Sequence, residues 1–451
     1  MRTFLTVLLL LGISVLWLIR KDLVGTGDVA EPARPKMVQM VDVRVRSFGG
    51  GSRVLELCGS KILSNAEDTE MDLEPVEGLL REEGRETVRF RAAHARKRAT
   101  KAGDTLEFRG GCRAASDDGR RLESELLLYY TRTGMLESPG RATLVTSDTT
   151  LAGDRFETST QLKTGLVTGK VVITTTRVPA GIGAGPAASE PVELTGDFAN
   201  FDVPKGIYQL EGHAAARKAQ GTMRANRMLY QARNRFLQAS GAVTFTDPSY
   251  VLSAGVVEYD LPREWVSARE SPRATVTSAG RGGETRISAR TVAFDRPRAH
   301  VIAEGDVTTR VVPEGRVPYD IRSRTADSFY RDRRSLFKGD VRIRSTEMGA
   351  DGDRAVIYEM TEKVHILGNA RAWKVERGGR IDRTVQGDHI IHDMRTGRSV
   401  ALRNVRLEDR SGSGRQLGTG ERRRNPDARE KARPRSDARG SARPRRTLRL
   451  R

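Results

Sequence analysis

From Met40 to about Glu408 the chain alternates apolar and polar residues with a period of two, the pattern of half-buried strands rather than of amphipathic helices. Clear runs are Leu252/Ala254/Val256, Val243/Phe245, Ile287/Ala289, Val307/Thr309/Val311 and Val341/Ile343, with Arg, Thr, Ser and Asp between them. An aromatic residue, a turn, a β-prone run and a glycine also follow one another repeatedly. Phe201 to Gly212, Tyr230 to Gly241 and Phe294 to Gly305 are each 11 residues apart. Tyr130, Tyr330 and Tyr358 lead to Gly140, Gly339 and Gly368 at separations of 10, 9 and 10, while Tyr259-Asp260-Leu261-Pro262 repeats the turn with Pro272 near the glycine position. Copies start 29 residues apart and stretch to 36, a unit of about thirty residues with loop insertions. Lys163-Thr164-Gly165, Arg132-Thr133-Gly134 and Arg395-Thr396-Gly397 supply the glycine of tight reversals. A strand-turn-strand unit cannot bury its apolar face alone. The predicted architecture is therefore all-β, an elongated jellyroll of two stacked antiparallel sheets around a narrow, extended core.

The two ends differ from this body. Thr3 to Ile19 is 17 uncharged, mostly apolar residues flanked by Arg2 and by Arg20-Lys21, the short limit of a bilayer-spanning helix. No small-residue cleavage site follows within ten residues, and Trp17 beside the Arg20-Lys21 pair suits an interfacial anchor centred on Leu8, Leu9, Leu10 and Leu11. No second apolar run of that length occurs, so the expectation is a single pass with the rest of the chain on one side. At the other end, Arg410 to Arg451 holds 15 Lys/Arg and 4 Asp/Glu, a net +11 of the +20 carried by all 451 residues, and no aromatic residue. Such a composition predicts disorder. Base stacking has no platform there, so a nucleic-acid partner is not expected.

The expected organisation is an anchor at 1–22, a linker at 23–39, a first β module at 40–177, a Gly/Pro/Ala-rich linker at 178–191, a second β-repeat module at 192–408 and a basic tail at 409–451. Little in the sequence points to catalysis or to a cofactor. There is no GxSxG, HExxH or GxxxxGK[ST] motif. His389 and His392 lie in Asp388-His389-Ile390-Ile391-His392-Asp393, which reads as a strand, so their rings point to opposite faces and no metal site is expected. His94, His213, His300 and His365 have no partner at a recognisable spacing. Cys112, in phase with Leu106 and Phe108, is expected to face inward; whether it bonds Cys58 is left open by the sequence.

The repeats resemble a known family, the bridge proteins of lipopolysaccharide transport in Gram-negative bacteria, LptC and LptA, which share the OstA-like β-jellyroll. The LptC-like part includes VRFRAAHARKRATKAGDTLEFRGGCRAAS, LESELLLYYTRTGMLESPGRATLV and LAGDRFETSTQLKTGLVTGKVVIT; the LptA-like part has copies such as MRANRMLYQARNRFLQASGAVTFTD. The chain departs from the family in joining the two kinds of module and in adding the basic tail.

The resemblance implies an inner-membrane-anchored periplasmic protein that binds lipopolysaccharide acyl chains between its sheets without catalysis. It also implies an inner-membrane ABC transporter as energy source, and periplasmic or outer-membrane jellyroll partners joined by strand-edge pairing. The inward members of the alternation, Leu144, Ile173, Val243, Phe245, Val307, Val341 and Ile343, are the lipid-groove candidates. The alternative is a β-helix-like protein that acts on or binds envelope polysaccharide.

Overall fold

The computed structural model describes residues 37–48, 53–65, 70–82, 85–100, 103–175, 190–219, 221–277, 283–375 and 381–409. The anchor segment with Leu8 to Leu11 and Trp17, most of the 178–191 linker and the tail from 410 lie outside them. Every element among the described residues is a strand, and every pairing is antiparallel. No helix there is long and apolar enough to cross a membrane. The result is an elongated antiparallel ladder in which each strand pairs mainly with its neighbours in sequence, as a stack of hairpins must.

The repeat is two long strands running in opposite directions, for example Gly221–Gln231 followed by Phe236–Asp247. In the repeats, every second long strand bends once, near the middle, at a two-residue bulge. Most of the glycines at which the sequence copies end are these bulges rather than strand termini; Gly140 instead lies between the short strands Met135–Ser138 and Ala142–Val145. Gly212, Gly241, Gly305, Gly339 and Gly368 all have φ between +72 and +80, and each is followed by a second left-handed residue: His213, Ala242, Asp306, Asp340 and Asn369. Register shifts fall at those places, as between Glu211/Ala214 and between Ser240/Val243. Only glycine adopts the first position without steric cost. At three of these bulges the residue opposite braces the turn: Asp197 meets His213 Nδ1 at 2.8 Å, Arg324 Nε donates to Asp340 at 3.0 Å, and Asn369 donates to Asp353 at 3.1 Å.

The bend folds one ladder into two layers with a shared interior. In a bulged strand the extra residue keeps the alternation in phase, so Leu237, Ala239, Val243 and Phe245 all face inward. The neighbouring unbulged strand turns the corner by losing phase. Leu252 and Ala254 are buried, but beyond Gly255 the inward residues are Val257 and Tyr259, and Val256 is only half-buried, contrary to the uninterrupted Leu252/Ala254/Val256 pattern expected. Contacts between the layers join residues that are not ladder partners. Tyr250 stacks on Phe294 with ring centroids 3.8 Å apart, Phe245 lies 5.7 Å from Tyr259, and Phe90 lies 5.1 Å from Phe108.

At other corners the strand breaks in two instead. Pro272 follows Glu270 and Ser271, both at positive φ, and separates Trp265–Arg269 from Arg273–Thr277. Gly165 is not a turn residue either: it lies in strand Thr164–Thr175, and the left-handed position of that reversal is Leu162. Gly134 and Gly397 do occupy turns at positive φ. The ladder also runs across the stretch expected as a linker, because Thr164–Thr175 pairs with Glu193–Asp202 from Thr164↔Asp202 to Thr174↔Glu193.

The corner geometry gives a direct test. Gly241 has φ +78, and a Cβ there would stand 2.9 Å from Asn226 Nδ2, whereas Gly140 has ordinary φ and open space around it. Gly241→Ala should lower stability by about 1–2 kcal/mol in urea unfolding. Gly140→Ala should change it by less than about 0.5 kcal/mol; equal losses would contradict the corner assignment.

Candidate functional site

The interior between the layers is the site the sequence points to. Leu144, Ile173, Val243, Phe245, Val307, Val341 and Ile343 all lie in it, each at most 2% exposed. They belong to one apolar cluster that runs from Leu55 to Ile390. At such exposure no water-sized space reaches them, and the two layers pack on each other through these side chains. Thr244, one residue from Phe245, is exposed on the outer surface.

One long side of this interior is the line of bulges. The other is a seam between two rows of turns. In one row, five-residue turns hold an aspartate whose carboxylate accepts from the backbone three residues on: Lys205 N to Asp202 at 3.0 Å, Arg263 N to Asp260 at 3.1 Å and Arg298 N to Asp295 at 3.2 Å. The second turn residue points inward, and Val203, Ala232, Leu261, Tyr330 and Met394 pack on or in the core there. Arg296 occupies the same position in its own turn.

Polar side chains close the seam. Gln161 Nε2 donates to Glu82 at 3.0 Å, and Arg53 holds the same carboxylate at 2.9 Å. Hydrogen bonds from Arg53 first, then from Gln161, keep the Glu82 carboxyl below its usual pKa despite some burial. Arg235 donates to the Glu190 carbonyl at 2.7 Å. Lys218 Nζ reaches Glu264 at 3.5 Å. Arg296 Nη2 donates to Asp247 at 2.6 Å, its Nη1 donates to Tyr259 Oη at 2.9 Å, and Glu264 lies 3.7 Å away. Farther on, Arg316 and Glu362 form a 2.6 Å charge contact whose angles fall outside those of a hydrogen bond.

The central group, Lys218, Asp247, Glu264 and Arg296, is the most buried of these. Asp247 exposes 7% and Lys218 4% of its side chain. Burial lowers the Lys218 pKa; Glu264 opposes that shift, and Arg235 and Arg296 add to it. Burial also works against the Arg296 charge, but Tyr259, Asp247, Tyr250 and Glu264 outweigh it and hold the pKa above the ordinary arginine value. Tyr250 sits beside this group, its pKa raised by burial and then by Asp247, and its hydroxyl is buried with no hydrogen-bond partner.

Among the charged residues that close the seam, the sequence patterns reach only Arg296, in the copy that starts at Phe294. Its one visible signal is a charge where the other copies carry an apolar side chain. Contacts spanning 45 to 49 residues, as in Arg235 to Glu190 and Arg296 to Asp247, leave no trace in a thirty-residue period.

The remaining candidates are plainly placed. Cys58 and Cys112 are free thiols. Cys112 faces inward, and burial pushes its thiol up to about 11. His392 is buried and meets Ser399 Oγ at 2.9 Å, while His389 lies on the other face. The register brings together two histidines that spacing had not linked, His389 Nε2 and His365 Nδ1, 3.3 Å apart. His94 meets Glu74 at 2.9 Å and His300 meets Asp327 at 3.2 Å. Among the described residues no group of three or more His, Cys, Asp and Glu side chains is placed to hold a metal ion.

The seam pair should behave as a buried ion pair. Arg296→Met alone strands Asp247 and should cost about 2–3 kcal/mol in urea unfolding, whereas Asp247→Leu combined with Arg296→Met should recover more than half of that loss. Additive losses would mean that the two side chains act independently.

No family model and no curated protein matches the chain. Among solved structures, the chain is similar to LptH, the LptA homologous periplasmic component of the conserved lipopolysaccharide transport device from Pseudomonas aeruginosa. The identity is 12%, the alignment covers 32% of this chain and 80% of that chain, and the TM-score is 0.16. This is a distant, partial likeness.

Proposed function

We propose that the chain is a non-enzymatic bridge component of lipopolysaccharide transport, anchored in the inner membrane by Thr3 to Ile19 with its bulk in the periplasm. The observation that carries this reading is the apolar interior, continuous from Leu55 to Ile390 between two layers and bordered on one side by a polar seam. Acyl chains gain about 0.8 kcal/mol for each CH₂ removed from water. A lipid with several chains therefore needs a covered apolar path to cross an aqueous compartment, and a ladder of repeats supplies one of any required length. The phosphorylated headgroup stays at the wet rim, where Arg and Lys pair with phosphate.

The sequence resemblance to LptC and LptA supplies the direction of transfer and the partners. Having no GxxxxGK[ST] loop, the chain takes its energy from the inner-membrane ABC transporter of the export system. Other jellyrolls join at the ends of the ladder by strand addition. Strands Met37–Phe48 and Arg398–Leu402 each pair on one side only among the described residues, and Val400 and Leu402 are exposed at the latter.

A photo-crosslinking amino acid placed at Phe245 should give lipopolysaccharide adducts on irradiation of living cells, and the same residue at exposed Thr244 should give none. Adducts at neither position in folded, exported protein would overturn the lipid-groove reading and favour a polysaccharide-binding role.

A further inference from the structure

The centre of the seam is built like an anion site whose ligand position is filled by the protein's own carboxylates. Three cations meet there, Lys218, Arg235 and Arg296, with two carboxylates, Asp247 and Glu264. Burying charges in a mouth that elsewhere packs Val, Leu, Ala and Tyr is costly, and a packing role alone would be served by an apolar residue at position 296. The cluster also holds one more positive than negative charge, an excess met by the Glu190 carbonyl on Arg235.

The Tyr250 hydroxyl lies beside this cluster. Tyr250 is 1% exposed, its hydroxyl has no hydrogen-bond partner, and Asp247, Arg296, Tyr259 and Tyr330 all lie close enough to act on its titration. A buried, unused hydroxyl beside the Arg296 guanidinium, with the Lys218 ammonium sharing Glu264 with that guanidinium, is a donor set that fits a phosphate. The interior directly behind it is apolar: Tyr250 stacks on Phe294 and tilts against Phe245.

We infer that Lys218, Tyr250 and Arg296 form a binding site for the phosphate of an amphipath, with Asp247 occupying Arg296 until the phosphate displaces it. This rests on the lipid-carrier reading and adds to it the place where the headgroup docks. Docking there opens the seam, because the contact it replaces is one that ties the two rows of turns together. The exchange is of one anion for another, so the guanidinium stays neutralised throughout, while the displaced Asp247 carboxylate keeps the Ser249 backbone N–H at 3.0 Å and meets water as the seam opens.

The test uses full-length protein released from a mild detergent micelle in native mass spectrometry, titrated with dodecyl phosphate, with dodecyl maltoside as a neutral probe of the same chain length, and with inorganic phosphate. Asp247→Asn keeps an acceptor for Arg296 but removes the competing charge; it should tighten dodecyl phosphate about tenfold and leave dodecyl maltoside within about twofold. The pair Asp247→Asn/Arg296→Gln keeps both groups hydrogen-bonded without the cation and should bind dodecyl phosphate about tenfold more weakly than wild type. A purely structural role for the cluster would not strengthen binding in any variant. The inference is overturned if both probes shift together, or if neither responds to the two variants. Selective response of dodecyl phosphate and of inorganic phosphate, with no binding of dodecyl maltoside to wild type, would keep the anion site and remove the acyl groove.

Discussion

The structure depends on one backbone constraint: each long strand must turn a corner so that both of its halves bury the same apolar interior. A straight strand with period-two alternation presents one face to one layer and cannot enclose a core by itself. Two consecutive left-handed residues, with glycine first, supply the corner, and bulged strands alternate with strands that lose phase at the same level. Without the corner the ladder would flatten, and Tyr250 would have no Phe294 to stack on. The glycines thus fix the distance between layers, and the layers fix the width of the apolar strip.

With the bulges lined up along one side, the opposite side is where the rows of turns must meet. Apolar turn residues such as Val203 and Leu261 partly cover the interior, and cross-seam pairs such as Lys218 to Glu264 and Arg296 to Asp247 tie the rows together. The two borders differ in what holds them: covalent chain and ladder hydrogen bonds at the corner, charges and side-chain hydrogen bonds at the seam. Ion pairs exchange partners without breaking the ladder, so the seam is the side on which an interior closed by packing opens at least cost.

Much of this was legible in the sequence. The alternation through Val243/Phe245, Val307/Thr309/Val311 and Val341/Ile343 located half-strands correctly, because a buried face leaves a period-two record wherever the backbone runs straight. The recurring glycines were visible, yet their role was not, since a glycine at a strand end and one at a mid-strand bulge look alike in sequence. Val256 shows the cost of that ambiguity: alternation predicted it inward, and the corner at Gly255 moved the inward position to Val257. The seam was the least legible part. Its contacts join residues about one and a half repeats apart, and such pairs follow from how the layers close rather than from any local pattern.

The most direct measurement is the width of the seam with and without lipid. Spin labels at exposed Pro248 and Arg298 stand on the two rows of turns next to Asp247 and Arg296, and a second pair at exposed Ala242 and Asp306 stands on the line of bulges. Because no water-sized space reaches Val243 or Phe245 in the closed form, bound acyl chains must part the layers. Electron–electron distance measurements should show the 248–298 separation lengthen by roughly the width of an acyl chain when lipopolysaccharide is added, with the 242–306 separation unchanged. A seam distance that stays fixed in protein shown to carry lipid, or a change along the line of bulges instead, would contradict an interior that is hinged at the corners and opens at the seam.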